Sequence, residues 1–481
     1  METFLATIYD LIWNPLVYVT LISGTAYTIA TRGVQVRHLP SMIKCLFGRA
    51  ASDTGTSSFQ AFAMALGGRV GVGNIAGVAT AIAFGGPGAL FWMIATAVLT
   101  ASSAFIEATL GQIYKVKSDG EYRGGIPWYI EKGLGLKWLA VTAAVVAVLC
   151  YTLLIPGVQS STIVTSLDAA FGVPTWISGL ILVVLTGLVV FGGTHRIAAF
   201  AEKVVPAMAV AYVLLAVVVL IINFHAIPEV IRLVLASAFG ADAVFGGMIG
   251  AAVSWGVRRS LYSNVAGVGE GGFAGAAASV SHPVKQGLVQ SFSVYVDTLL
   301  VCTATGVMIL STGAYNILPE GRGALVENLP GVEPGAGFTQ VAVDTIVPGI
   351  NLGAGVVAVA IFFFAFTSIL SYFYYAVTNI VYLTGSSRGN LARIVQAMVL
   401  ISVFLGTVRT TELVWTLGDI GYGLIAWFNM VAIAFLCPVA VRALRDYERQ
   451  KKQGIDPVFD PSDAGIKGAT FWESSDAPAR V

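Results

Sequence analysis

The strongest constraint on the fold of this chain is the stretch Gly67-Gly68-Arg69-Val70-Gly71-Val72-Gly73-Asn74-Ile75-Ala76-Gly77, set inside an apolar segment running from about Ser57 to Phe84. Glycine inside a helix costs about 1 kcal/mol relative to alanine, and this stretch combines repeated glycines with an Arg and an Asn. A helix opened there in lipid would leave N–H and C=O groups without water to satisfy them. An opened turn therefore implies a protein-lined polar cavity in which a solute or ion supplies the missing partners. The other reading is a continuous helix that packs closely through its small residues.

The setting is a membrane. Of 481 residues, 56% are hydrophobic and 11% charged, against about 25% charged in soluble domains. Apolar runs of about 17 or more residues predict an all-α integral membrane protein of about eleven transmembrane helices. They fall near Leu11 to Ala30, Ser57 to Phe84, Pro87 to Tyr114, Lys137 to Phe171, Pro174 to Gly193 and Ala199 to Ile222. The rest lie near Ala243 to Ala277, Lys285 to Gly313, Leu352 to Leu383, Ala392 to Thr407 and Thr411 to Val441. The first ten residues carry Glu2 and Asp10 and no Lys or Arg, so the first span is expected to be retained rather than cleaved as a signal peptide.

Charge sets the orientation. If the loop carrying Arg32, Arg37, Lys44 and Arg49 is cytoplasmic, that side takes all but six of the 27 Lys and Arg, including Lys115, Lys132, Lys285, Arg388 and Arg480. Only Arg232, Arg322 and Arg409 fall opposite, with Arg69, Arg258 and Arg259 inside spans. The asymmetry predicts an outer N-terminus and a cytoplasmic C-terminus in the cell membrane. A net charge of +1 gives no reason to expect a nucleic-acid partner. The loop from Ala314 to Ile350, with Glu320, Glu327, Glu333 and Asp344, is too polar to span and reads as a cap on the outer side. Asp119 to Gly135 reads as a turn entering a short interfacial helix, and the chain after Tyr447 as a disordered tail. Cys45, Cys150, Cys302 and Cys437 are far apart and write no disulfide framework or metal motif.

A second interruption is expected at Ser254 to Asn264, where Arg258 and Arg259 would each need water or a partner, unless the helix ends early and places them at an interface. Without the first span, the interrupted spans are the first and sixth of ten, the pattern of an inverted-repeat transporter with its site between the repeats. The expected units are 1–56, an N-terminal helix and linker; 57–222 and 243–441, two five-helix repeats; and 442–481, a cytoplasmic tail. Gly71-Val72-Gly73-Asn74 echoes Gly267-Val268-Gly269-Glu270, a match too short to carry weight alone. Free N–H groups at one half-helix end suit a carboxylate, and carbonyls at another suit an ammonium or a sodium ion. Thr367-Ser368 could complete an oxygen cage for such an ion, or bond back to carbonyls a turn earlier. Gln159 could hold a substrate group or an interhelical bond. Asp297 and Glu107, acids inside spans, are functional candidates with a neutral structural role as the competing reading. His195 and His282 read as structural or solvated, without metal-ligand spacing.

The residues resemble the alanine or glycine:cation symporters, which share the LeuT-type fold. The resemblance is carried by Val70 to Ile82 followed by Gly85-Gly86-Pro87-Gly88-Ala89, by Gly192-Gly193 with Arg196, by Ser263-Asn264 with Ala266-Gly267, and by Gln286-Gly287 with Asp297-Thr298. It implies a LeuT-type 5+5 inverted repeat with one extra N-terminal helix, importing a small neutral amino acid, alanine or glycine, with a co-transported sodium ion. By the same resemblance Gly67 and Val70 would give carbonyls, and Thr367 and Ser368 hydroxyls, to sodium. Substrate would lie against Gly73, Asn74, Gln159, Trp255 and Gly256. Two positions depart from the family pattern: Val265 stands where the family usually has Glu, and Gly124-Gly125-Ile126-Pro127-Trp128-Tyr129 replaces a Gly-Gly-Pro-Met-Tyr-Tyr motif. Proton coupling through Asp297 or Glu270 is the alternative within the class. A channel or a transporter-derived sensor is the alternative outside it, and an enzyme is not expected because no nucleophile, base and orienting group assemble into a set.

Overall fold

Ser57 opens the first interrupted helix with a capping box: its hydroxyl accepts from the Gln60 N–H at 3.1 Å, and the Gln60 side chain accepts from the Ser57 N–H at 3.0 Å. The helix runs Ser58–Arg69, opens over Val70 and Gly71, makes a 3₁₀ turn at Val72–Asn74 and resumes at Ala76–Gly85. Gly86 then stops it at φ 73°, a left-handed conformation that favours glycine, and Pro87 follows. The structure is a computed structural model that describes residues 2–48, 55–240, 246–319, 321, 323–346, 352–387 and 389–474. Arg49, Glu320, Arg322, Arg388 and Arg480, weighed above, lie outside the described residues, as does the side chain of His195.

Around this element the chain is a bundle of apolar helices. Eight described helices are long and apolar enough to cross a bilayer: Thr3–Ala30, Gly88–Ile113, Lys137–Phe171, Arg196–Ile222, Pro283–Thr312, Leu352–Thr384, Asn390–Val408 and Thr411–Lys452. The other three segments expected to span are helical only in shorter pieces. Ser57 to Phe84 is split as described, Pro174 to Gly193 is the helix Thr175–Val190, and Ala243 to Ala277 is divided into Ile249–Asn264 and Glu270–Ala276. Two of the long helices carry π-helical turns, Cys150–Leu154 and Tyr295–Cys302, an irregularity that recurs at functional sites. The four cysteines are free thiols.

The second interruption lies further along than expected. Ser254 to Asn264 is continuous helix, and the backbone opens at Val265–Gly269. Arg258 and Arg259 do not force the helix apart, because both find side-chain partners. Arg258 donates to Tyr9 Oη at 3.1 Å and Asn14 Oδ1 at 2.6 Å, and Arg259 pairs with Asp419. The break follows the backbone instead: Val265 adopts φ 46°, Gly267 φ 103° and Gly269 φ 101°. A β-branched residue in the left-handed region is strained, and Val265 holds that conformation at full burial.

The interrupted helices are tied at one end. The Thr56 N–H donates to Ala277 O and the Ser279 N–H to Thr56 O, both at 2.9 Å. The same face carries the hairpin Val116–Ser118 with Glu121–Arg123 and the short helix Ile126–Leu134, the latter as expected.

The tail is not a loose extension. The last helix continues to Lys452, and residues 453–474 pack back on the bundle. The Phe459 N–H donates to Ser281 O, and Trp472 Nε1 donates to Gln112 O, both at 2.9 Å. Phe459, Ile466, Phe471 and Trp472 are buried. Lys115 sits in a cage of Tyr122, Phe471 and Trp472 rings, its Nζ 4.4 to 5.0 Å from their centroids, and burial holds its ammonium well below the ordinary lysine range. Composition alone misreads this segment, because a few aromatics among polar residues suffice when a prepared groove receives them. Trp472→Ala is expected to destabilise the protein by about 3 kcal/mol, the scale of deleting a buried aromatic, visible as a lower unfolding midpoint in detergent. An unchanged midpoint would show that the tail contributes nothing to stability.

Candidate functional site

Where the first helix opens, its backbone donors turn away from their helical acceptors. The Gly71 N–H donates to Asn74 Oδ1 at 2.9 Å and the Val72 N–H to Gln159 Oε1 at 3.1 Å. In a continuous helix those two N–H groups would bond the carbonyls of Gly67 and Gly68, so both carbonyls are released. The Asn74 N–H bonds Gly71 O, which likewise takes it from the Val70 carbonyl. Gly67 O accepts from Ser368 Oγ at 3.0 Å, which also lies 3.1 Å from Phe364 O. Thr367 Oγ1 bonds back to Phe364 O at 2.9 Å. Thus Thr367 and Ser368 lie against Gly67 and the opened turn that follows it, and both hydroxyls show the back-bonding to Phe364 O weighed from sequence. There is no room for a side chain at Gly71, where a Cβ would meet Ser368 Oγ at 2.6 Å and Gln159 Oε1 at 3.0 Å.

A second cluster joins the two breaks. Asn74 Nδ2 donates to Asp297 Oδ1 at 2.6 Å, and Asp297 Oδ2 accepts from Ser263 Oγ at 3.0 Å and Thr298 Oγ1 at 2.8 Å. All four residues are buried. Asp297, on the π-helical turn, therefore links the first interrupted helix to the end of the second. The two helices also touch directly, since a Cβ on Gly73 would lie 3.2 Å from Ser263 Cα. Gln159 extends the network through Nε2 to Tyr372 Oη at 3.0 Å, and Tyr422 Oη donates to Tyr372 Oη at 2.7 Å.

Trp255 and Gly256 stand apart from this junction. Gly256 is a crossing point, where a Cβ would lie 2.6 Å from Trp92 Cβ and 2.8 Å from Ala89 O on the neighbouring helix. Trp255 lines a cavity of about 340 Å³ with Phe84, Met248, Ser254, Arg258 and Pro319. Pro319 belongs to the polar loop expected to cap that side, and the Leu318 N–H bonds Ala83 O at 2.8 Å. Between cavity and junction lies Arg259, which donates to Asp419 at 3.3 and 3.0 Å while stacking on Trp255, Tyr262 and Trp415 at 5.1 to 5.4 Å.

Arg69, the charge inside the opened stretch, has a carbonyl, a hydroxyl and a carboxylate beside it. Its Nη1 donates to Gln290 O at 2.9 Å and contacts Ser293 Oγ, and its Nη2 lies 3.9 Å from Glu107 Oε1. Glu270 is close by: a Cβ on Gly68 would lie 3.0 Å from Glu270 Oε2. His282 is structural, its Nδ1 accepting from the Val284 N–H at 3.2 Å to cap the following helix, with Nε2 3.3 Å from Asp446. Asp419, Ser263, Tyr372 and Tyr422 were missed from sequence. For Asp419 a signal existed, as it is the lone acid between Thr411 and Val441 after Glu412 and could have been matched to an arginine within a span. For the tyrosines there was none, because aromatic residues fill every span.

Two interrupted helices that meet at a buried polar junction within a bundle of apolar helices define a membrane transporter. The chain matches the Sodium:alanine symporter family over residues 1–461. It is 53% identical over 475 residues to the "Putative sodium/proton-dependent alanine carrier protein YrbD" of Bacillus subtilis (strain 168), covering 98% of each chain. It is 47% identical over 435 residues to the sodium/proton-dependent alanine carrier protein of Bacillus sp. (strain PS3), covering 90% of this chain and 97% of the relative. To the sodium/alanine symporter AgcS of Methanococcus maripaludis it is 34% identical over 457 residues, covering 93% of this chain and 97% of that one. The chain belongs to the sodium:alanine symporter family; it is a multi-pass membrane transporter and not an enzyme.

Proposed function

We propose that the chain imports alanine or glycine together with sodium by alternating access, on a LeuT-type frame of eleven spans. In this reading residues 57–222 and 243–441 are the two five-helix repeats, 1–56 supplies the extra helix, and 442–481 lies on the cytoplasmic side with the N-terminus outside. The observation that carries it is the release of the Gly67, Gly68 and Val70 carbonyls by Asn74 and Gln159. Released carbonyls of Gly67 and Val70 with the hydroxyls of Thr367 and Ser368 would make an all-oxygen donor set, which suits a hard cation such as sodium. The amino acid would lie against Gly73, Asn74 and Gln159, with Trp255 bounding its approach from the cavity and Gly256 letting that helix pack closely on Ala89 and Trp92. The names of the relatives, which specify alanine with sodium or with sodium/proton dependence, support the substrate and a coupling cation.

The test is alanine and glycine uptake by the purified chain in liposomes, driven by an inward sodium gradient at equal pH on both sides. Absence of sodium-dependent uptake of either amino acid would defeat the reading. Ser368→Ala is expected to raise the sodium concentration for half-maximal uptake about tenfold, equivalent to about 1.4 kcal/mol, while leaving the amino-acid preference unchanged. An unaltered sodium dependence would remove Ser368 from the ion site.

A further inference from the structure

Beside the opened stretch lies a charge imbalance that the sodium and substrate assignments leave unused. Arg69, Glu107 and Glu270 are 2%, 0% and 0% exposed, so one guanidinium shares a buried space with two carboxyls. A Cβ on Gly271 would lie 2.9 Å from Glu107 Oε1 and 3.0 Å from Arg69 Nη2, which puts the three side chains around one pair of glycines, Gly68 and Gly271. Glu107 is the better provided for: its Oε2 accepts from the Gly267 N–H at 3.2 Å and from Asn429 Nδ2 at 3.0 Å, while its Oε1, with no hydrogen bond among the described residues, lies 3.9 Å from Arg69 Nη2. Neither oxygen of Glu270 has a well-formed hydrogen bond among the described residues, and the hydroxyls of Tyr151 and Tyr375, likewise unbonded, lie beside it. An ionised carboxylate left this way costs several kcal/mol, whereas the neutral acid carries a proton it can donate.

We propose that Glu270 is a proton-binding site, neutral when loaded, whose occupancy is linked to alanine transport. The step is simple in its balance: a proton from the aqueous phase bonds to one Glu270 oxygen, the buried cluster goes from one net negative charge to none, and release reverses it. Linkage follows from position. Glu270 begins the half-helix just beyond the second break and lies against Gly68, one turn before the first, so its charge acts where both interrupted helices must rearrange. The charged groups facing it are Arg69 from the first interrupted helix and Glu107 from helix Gly88–Ile113. The other titratable groups within electrostatic reach are Tyr151, Tyr262, Tyr372, Tyr375 and Tyr422. Arg69 thus balances Glu107, which leaves Glu270 as the group that must exchange a proton.

This inference rests on the symport reading above for its link to alanine, and the experiment separates the two. Full-length protein in liposomes carrying an internal pH dye is given alanine under a sodium gradient, across a range of external pH. Wild type is expected to acidify the lumen in proportion to alanine taken up, Glu270→Gln to lose proton movement per alanine, and Glu270→Asp to keep it with a displaced pH profile. Alanine uptake by wild type without proton movement, or a Glu270→Gln protein that acidifies as wild type does, overturns the linkage. So does a Glu270→Asp profile superimposable on wild type, should the glutamine variant fail to fold. Infrared titration of the purified protein tests the site without transport. A protonated-carboxyl band at neutral pH that disappears in Glu270→Gln supports it, and no such band in wild type overturns it. No alanine uptake together with that band would sink the symport reading and leave the proton site standing.

Discussion

Replacing Asp297 with Ala is expected to reduce sodium-driven alanine uptake at least about 100-fold, with the protein still present in the membrane. The carboxylate accepts one hydrogen bond from each of Asn74, Ser263 and Thr298. Hydrogen bonds to a charged group contribute about 1.5–3 kcal/mol each, and the donors left behind are buried and cannot turn to water. More than stability is involved, because Asn74 also accepts from the Gly71 N–H. An Asn74 side chain freed from Asp297 can rotate away and let the opened turn close into ordinary helix. Asp297→Asn distinguishes the two contributions. Its amide oxygen can still accept from Ser263 and Thr298, but its NH₂ would meet the NH₂ of Asn74, so uptake is expected to stay low while the unfolding midpoint recovers. Wild-type rates of uptake in Asp297→Asn would show that Asp297 does not position Asn74.

The second large effect is expected at the pair Arg259 and Asp419. Both are buried, at 5% and 4% exposure, and their bonds of 3.0 and 3.3 Å join the second interrupted helix to the last one. Asp419→Ala leaves the guanidinium buried without a counter-charge, a change that costs about 3–5 kcal/mol. The double replacement Arg259→Leu with Asp419→Leu removes both charges and their desolvation penalty, and is expected to regain most of the lost unfolding midpoint. Its transport is a separate matter. Because the pair lies between the cavity bounded by Trp255 and the junction at Gly73, the double variant is expected to fold yet transport poorly. A double variant no more stable than Asp419→Ala would show that the pair is not a coupled unit.

Much of the architecture was legible from hydropathy alone. Most of the long helices start and stop within a few residues of where charge and turn residues bound the apolar runs, as at Leu352–Thr384 and Gly88–Ile113, although the first begins earlier, at Glu2, and the last runs on to Lys452. Lipid explains this, because every spanning backbone group must be satisfied within its own helix, so local composition decides. The first break was equally legible, since the glycines, Arg69 and Asn74 act within one turn of chain. Its partner was not. Polar residues at Ser254 to Asn264 drew attention, whereas the backbone opened at Gly267 and Gly269, in the short echo of Gly71-Val72-Gly73. Charged side chains can be satisfied by distant partners such as Tyr9, Asn14 and Asp419 without disturbing the helix, and no single-chain pattern reveals partners up to about 250 residues away.

What the sequence determined by itself was therefore local: a membrane bundle, most of its long apolar helices, a glycine-rich stretch at which a helix could open, and a resemblance to a symporter class through a long matching stretch. Tertiary structure alone decided which polar groups meet. It placed Asp297 between Asn74 and Ser263, turned Ser368 toward the freed Gly67 carbonyl, paired Arg259 with Asp419, and left Glu270 beside Arg69 and Glu107 without a well-formed hydrogen bond among the described residues. The physical reason is range. Backbone breaks depend on the conformational preferences of a few adjacent residues, whereas satisfying a buried charge depends on whichever helices packing brings alongside it.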